Sequence, residues 1–164
     1  MIQYALPTNN SHADNALISE WVSHHSFGRP DNVWPDSAAF GVVKDGKPVG
    51  GIVYHDYKPS AGTVQYSGAA TDSTWLMGPC LHLIFSYMFD GLGCQMVMTG
   101  NSQNNVGLHG ILERLGHTKN VIHRGWGPNT DLYLWTLTKE QWLANKIFAR
   151  SRKSAQEEAN VKST

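Results

Sequence analysis

Apolar and polar positions repeat with two periods along the chain, and the changes of period mark out its elements. Residues 2–6 read as a short edge strand and Pro7 to Ser11 as a turn. Ser11 precedes Asp14 by three positions, so that a hydroxyl can cap a helix while a carboxylate sits in its first turn. A helix is expected from about His12 to His24, with Leu17, Trp21 and His24 as its apolar face and Ile18 and Val22 beside them. Residues 26–37, SFGRPDNVWPDS, mix prolines and a glycine with Asx and Ser residues and read as a loop. Loops of this length in compact domains often carry function. AAFGVV and VGGIVYHDY flank KDGKP, a hairpin that turns at Asp45-Gly46, and after a second turn at Lys58 to Gly62 comes a third strand, TVQYSGAA. Gly50, Gly51 and Gly68 fall inside these strands, where glycine marks a bulge or the close approach of another group.

The period turns helical at WLMGPCLHLIFSYMF. Pro79 suits the first helical position, because an amide there has no partner within the helix, and this places Gly78 at the cap. Cys80, Leu81, Ile84, Tyr87 and Met88 make the inward stripe, and Gly91 and Gly93 end the helix. CQMVMTG reads as a buried strand that completes a parallel strand-helix-strand step with a right-handed crossover. A third helix, roughly Val106 to Leu115, turns Leu108, Ile111, Leu112 and Leu115 inward and stops at Gly116 in a left-handed cap. HTKNVIHRGW and DLYLWTL are the last strands, joined by a turn at Gly127-Pro128-Asn129, and Thr138 with Gln141 forms a capping box for KEQWLANKIFAR. From Ser151 the chain is polar and aperiodic. One domain is therefore expected over residues 1–150, with residues 151–164 as a disordered tail. The element order predicts an α/β (α+β) layered domain around one mixed sheet.

Composition narrows the functional classes. At 164 residues about two-thirds of the extended chain's surface can be buried, enough for a core without metal or disulfide staples. Lys plus Arg equals Asp plus Glu at 13 each, so there is no basic excess of the kind that marks a nucleic-acid binder, and nucleic acid is not the expected partner. Cys80 and Cys94 read as two free thiols in a reducing compartment. The first residues lack a basic stretch followed by an apolar run, and no run of about 18 apolar residues occurs, so a cytoplasmic location without a membrane span is expected. His24, His25 and His55 match no metal-ligand spacing, and no metal is expected.

Two segments carry a family resemblance. In TWLMGPCLHLIFSYMF, Trp75, Gly78 and Cys80 stand where the GNAT superfamily of N-acetyltransferases has its Gln/Arg-x-x-Gly-x-Gly/Ala pyrophosphate loop. NNVGLHGILERLGH resembles the family's Asn-x-x-Ser…Leu-Gly-Phe stretch, with Asn105 at the Asn, Leu108 at the Ser and Gly116-His117 at the Gly-Phe. The ending TDLYLWTLTKEQW resembles the ribosomal-protein-alanine acetyltransferase branch. The resemblance covers most of the chain. It implies a mixed, mostly antiparallel central sheet with helices on both faces, acetyl-CoA as cosubstrate, and transfer of an acetyl group to an amine by direct attack.

The resemblance also implies sites. The pantetheine arm would lie along Ser67, Ala69, Ala70 and Thr71, the pyrophosphate near Trp75, Met77, Gly78, Cys80 and Leu81, and Asn105 would meet the pantetheine amides. A helix start preceded by glycine is itself an anion site, since its amides lack internal partners. Many family members carry a Tyr acid where this chain has Leu112, and often a Glu on the strand that here reads VQYS. Proton handling therefore falls to Tyr66 and His55, with Asp56 and His123 as further candidates. The acceptor, an amine on a small molecule or a protein N-terminus or lysine, would meet Phe27, Arg29, Asp31 and Trp34 and the late residues Arg124, Trp126 and Asn129. A monomer or homodimer is expected. The missing Tyr and the altered first motif support an alternative: a catalytically weak or inactive GNAT-fold structural or interaction protein, of the kind a virus or mobile element encodes.

Overall fold

The computed structural model describes residues 1–28 and 33–164. Strands β1 (Ile2–Ala5), β2 (Ala38–Lys44), β3 (Lys47–Lys58), β4 (Thr63–Ala70), β5 (Met96–Ser102), β6 (Thr118–Gly127) and β7 (Thr130–Thr138) form one sheet. Its order is β1-β2-β3-β4-β5-β7-β6. Every neighbouring pair is antiparallel except β4 and β5, the parallel pair expected from the strand-helix-strand step. The helices are α1 (His12–Phe27), α2 (Cys80–Ser86), which continues into a π-helical turn at Tyr87–Gly91, α3 (Val106–Arg114), α4 (Lys139–Ala144) and α5 (Lys146–Lys162). This is the mixed, mostly antiparallel sheet flanked by helices that the element order predicts.

Side-chain alternation sorts β2, β3 and β4 into two faces. Phe40, Val42, Tyr54 and Tyr66 meet Ile84 and Phe85 of α2 in the main core, and the Tyr54 hydroxyl donates to the Ile84 carbonyl at 2.9 Å. The opposite face carries α1. A Cβ on Gly51 would sit 2.7 Å from Val22 Cγ2, so the glycine is what lets the helix lie close on the sheet. The same closeness corrects the expected apolar face of α1. Ser19, Val22 and Ser23 are buried, whereas Leu17 is 65% exposed and His24 is exposed. Small serines permit an approach that a stripe of large side chains would hold off. The capping box between Ser11 and Asp14 forms as expected, and Gly28 ends the helix in the left-handed conformation.

The end of the chain also departs from expectation. KEQWLANKIFAR is not one helix. Asn145 breaks it with an extended ψ of 130° and caps α5, its Oδ1 accepting from the amides of Ile147 at 2.9 Å and Phe148 at 3.3 Å. Its Nδ2 donates to the Arg114 carbonyl at 3.0 Å, tying α5 to the end of α3. Residues 151–162, expected to be disordered, continue α5. Phe148 and Ser151 are buried, and α5 packs on α2. The segment has no apolar period because only small residues and these anchors face inward. Good helix formers and a strong cap supply the rest. Asn145→Ala is expected to lower unfolding free energy by about 1–2 kcal/mol, read by urea denaturation, since a cap and a further hydrogen bond go together.

Cys80 and Cys94 are both buried free thiols, and Cys94 lies just before β5 instead of in it.

Candidate active site

β4 and β5 pair only from Thr63↔Met96 to Gln65↔Met98. Beyond that they separate, β4 staying on β3 as far as Ala70 and β5 on β7 as far as Ser102. The resulting cleft has a volume of about 640 Å³, within the range of small-molecule sites. The structure brings Ser67, Ala69, Ala70, Thr71, Trp75 and Asn105 together along it, six of the residues expected to hold the coenzyme. Gly68 lies among them. A Cβ there would stand 2.5 Å from Ile52 Cδ1 and 3.1 Å from the Gly51 carbonyl oxygen, so a larger residue would push Ile52 aside.

Asn101 is a site residue that the sequence reading missed. It lies on β5, lines the cleft and is 5% exposed. Trp135 Nε1 donates to its Oδ1 at 3.3 Å, and His109 Nε2 lies 3.0 Å from the same oxygen. An indole N–H only donates, so the oxygen assignment is forced, and the Nδ2 is left buried with no hydrogen-bond partner among the described residues. A buried donor without a partner is costly, and an acceptor in the cleft would relieve that cost. The available signal was the polar residue inside the expected strand-and-loop segment MTGNSQNN. Asn105 was expected there instead because it stands at the Asn of the family stretch. It makes no side-chain cap bond in the structure.

On the α1 face, His55 Nε2 lies 2.8 Å from Ser67 Oγ, and His55 Nδ1 lies 2.7 Å from Asp56 Oδ2. A carboxylate only accepts, so Nδ1 carries the proton and Nε2 accepts from the Ser67 hydroxyl. A bulge makes the arrangement. The register between β3 and β4 shifts after His55, and Asp56 takes a left-handed φ of 53°, which turns its carboxylate back onto the preceding ring. Burial falls along the chain of groups. The His55 side chain is 12% exposed and that of Asp56 59%, so the row leads from the cleft to solvent.

Tyr66, the neighbour of Ser67, points to the opposite face. Its Oη shares a hydrogen bond of 2.7 Å with His117 Nε2, and both residues are buried. Burial pushes the Tyr66 hydroxyl far above its ordinary value and drives the His117 imidazole down from 6.5 to about 4. Both groups are therefore neutral at pH 7.

The start of α2 differs from expectation. Cys80 and Leu81 are core residues, and neither lines the cleft. The Cys80 amide donates to the Met77 carbonyl at 3.3 Å. Ser151 of α5 closes the rest of the turn, its Oγ accepting from the His82 amide at 2.9 Å and donating to the Gly78 carbonyl at 2.8 Å. Met77 is 62% exposed, outside the cleft lining. At the cleft mouth the Asp72 carboxylate accepts from the Thr74 amide at 2.8 Å, and hydrogen bonding to Thr74 holds it below the usual carboxylate range. Lys44 Nζ stands 3.6 Å from Asp72. The turn that was expected to grip an anion is thus largely satisfied by the protein's own oxygen atoms.

Of the residues expected at the acceptor side, Phe27 and Trp126 line the cleft, and Trp34 stacks on His55 with ring centroids 5.4 Å apart. Phe27 bridges Trp34 and Trp126 at 5.9 and 6.4 Å. Arg29 and Asp31 lie outside the described residues. Arg124 is tied into its own turn, its Nε donating to the Pro128 carbonyl at 2.9 Å. His123 is 84% exposed and pairs with Asp131, which takes it out of the candidate proton handlers in the cleft. Below the cleft a second space of about 110 Å³ opens on the α2 face, walled by Phe40, Val42, Ile52, Phe85 and Leu112. Leaving an apolar void of that size unfilled costs a fold about 2–3 kcal/mol.

No family model and no curated protein matches the chain. Solved structures do. The chain is similar to a GCN5-related N-acetyltransferase from Brucella melitensis at 15% identity and TM-score 0.64, over 93% of this chain and 81% of that one. It is similar to yncA from Salmonella typhimurium, solved with its cofactor acetyl-CoA, at 16% identity and TM-score 0.61, over 84% of this chain and 93% of that one. It is also similar to Mycobacterium smegmatis RimJ in complex with CoA-disulfide, at 16% identity and TM-score 0.57, over 70% of this chain and 58% of that one. It spans 64% of the length of another acetyltransferase structure that it matches. At these identities the likeness is one of fold, and that fold is the one of the GNAT-superfamily acetyltransferases.

Proposed function

We propose that this protein is an acetyl-CoA-dependent N-acetyltransferase that acts by direct attack of an amine on the thioester, with both substrates bound together. The cleft between β4 and β5 carries the reading. It has the size for a pantetheine arm, small residues along β4, and a buried Asn101 donor with no hydrogen-bond partner among the described residues. Ser67, Ala69, Ala70 and Thr71 would flank the arm, Asn101 would donate to one of its carbonyls, and Trp75 would cover the mouth. The coenzyme supplies an activated carbonyl when bound. The protein's part is positioning and proton handling. Ser67 takes the proton of the attacking amine, passing its own to His55, and Asp56 holds the ring in the receiving tautomer. Tyr66, the other expected proton handler, is bonded to His117 on the other face and would be reached only from the apolar space below the cleft. Phe27, Trp34 and Trp126 make an apolar, aromatic approach for the acceptor, a primary amine of a small molecule or of a protein N-terminus or lysine. The final strand and helix support a likeness to the ribosomal-protein-alanine branch. We place the protein in the cytoplasm, as a monomer or homodimer.

Calorimetric titration with acetyl-CoA tests the reading. Asn101→Asp keeps an oxygen acceptor for Trp135 and His109 and replaces the free donor with a buried carboxylate oxygen. It is expected to weaken binding about tenfold or more and to lower the melting temperature as well, so the titration is run well below the variant's own melting temperature. Equal affinity in the variant would sink the assignment of Asn101. The closed start of α2 favours a second reading, a GNAT-fold interaction protein without catalysis, and no binding to wild type at about millimolar coenzyme would select it.

A further inference from the structure

We infer that the protein's preferred donor carries an aliphatic acyl chain longer than acetyl, seated in the apolar space below the cleft. The inference rests on the coenzyme reading above. Ala69, Ala70, Trp75, Thr99 and Leu108 line both the cleft and the lower space, so the two adjoin across one wall of small and apolar side chains. That wall lies where β4 and β5 part, and the chamber extends beyond it on the α2 face. Its walls are carbon almost throughout. Tyr66 brings a hydroxyl, but that hydroxyl is already bonded to His117. Water has too few partners to settle there, and an apolar chamber of such size stays dry and takes a hydrocarbon instead.

The size sets the ligand. An engineered cavity of about 150 Å³ accepts benzene. The chamber here, at about 110 Å³, has room for an alkyl chain of about three to five carbons. A methyl group alone would leave most of it empty. Leu112 fixes this volume, since it projects from α3 into the chamber wall and is 3% exposed. The chamber lies on the α2 face, away from Ser67 and His55, so a longer acyl chain would leave the acceptor face clear.

Calorimetry with free CoA and its acetyl, butyryl and hexanoyl thioesters tests this. Wild type is expected to bind butyryl-CoA about tenfold more tightly than acetyl-CoA, the gain of two buried methylenes. Leu112→Phe fills the chamber from α3, and Val42→Leu, at a residue that lines the chamber and not the cleft, narrows it from β2. Each is expected to erase the preference while leaving acetyl-CoA affinity within about threefold. Acetyl-CoA binding as tightly as both longer thioesters in wild type overturns the inference and leaves the coenzyme reading standing. A preference that survives in both variants also overturns it. No binding of any of the four compounds overturns the coenzyme reading and the inference with it.

Discussion

Replacing His55 with alanine is expected to lower kcat for N-acetyl transfer by about a hundredfold to a thousandfold, with acetyl-CoA affinity changed less than about twofold. In the proposed transfer the amine would lose a proton as it becomes an amide, and the Ser67 hydroxyl could not keep it. Nε2 of His55, 2.8 Å away, is the acceptor in line. Its exposed carboxylate neighbour then gives the proton a route to water. The loss should shrink as pH rises, because at high pH the acceptor arrives with less proton to shed. Asp56→Asn should give a smaller loss, since it frees the ring to adopt the other tautomer without removing it. Steady-state kinetics across pH 6 to about 9.5, paired with calorimetry, decide the matter. A loss below about threefold, or one that is flat with pH, would remove His55 from the mechanism.

A second large effect concerns stability in mild acid. His117 in the folded state takes up a proton only near about 4, below its ordinary 6.5, because burial disfavours the cation. Between those values the unfolded chain binds the proton and the folded chain does not. Stability from this group is therefore complete above pH 6.5 and drains away as pH falls towards 4, by about 3 kcal/mol in all. His117→Phe alone would leave the Tyr66 hydroxyl buried and unbonded, so the informative comparison is the double variant Tyr66→Phe/His117→Phe. Urea unfolding at several pH values should show the double variant losing less stability than wild type between pH 6.5 and 4. Parallel losses would mean that the His117 proton is not excluded by folding.

Much of the fold was legible because its signals are local. Ser11 with Asp14 and Thr138 with Gln141 form the capping boxes that their spacing announces. Asp45 and Gly46 both take positive φ in the hairpin turn, and Gly116 takes it at the end of α3. Long-range satisfaction was not legible. Nothing near Ser151 shows that its hydroxyl closes a turn far back in the chain, and the polar run around it hid the part of α5 beyond Arg150. The site divides in the same way. Small residues on β4 announce a strand that something approaches closely, and the cleft is there. His55 was legible as a histidine at a strand end. Its partnership with Ser67 depends on a diagonal across two strands and a bulge that turns Asp56, which no linear spacing encodes. Asn101 was overlooked because an unsatisfied amide can be recognised only once its neighbours are known.

The alternation along β4 has a consequence for how the two candidate proton handlers meet solvent. Tyr66 and Ser67 are consecutive, yet the pleat sends them to opposite sides of the sheet. The backbone between them is a partition one strand thick, with the buried Tyr66–His117 pair on one side and the row from Ser67 to the exposed Asp56 carboxylate on the other. In the proposed reaction a proton taken up by Ser67 and His55 would leave by way of Asp56, and a change of solvent acidity would reach that row before it reached the buried pair.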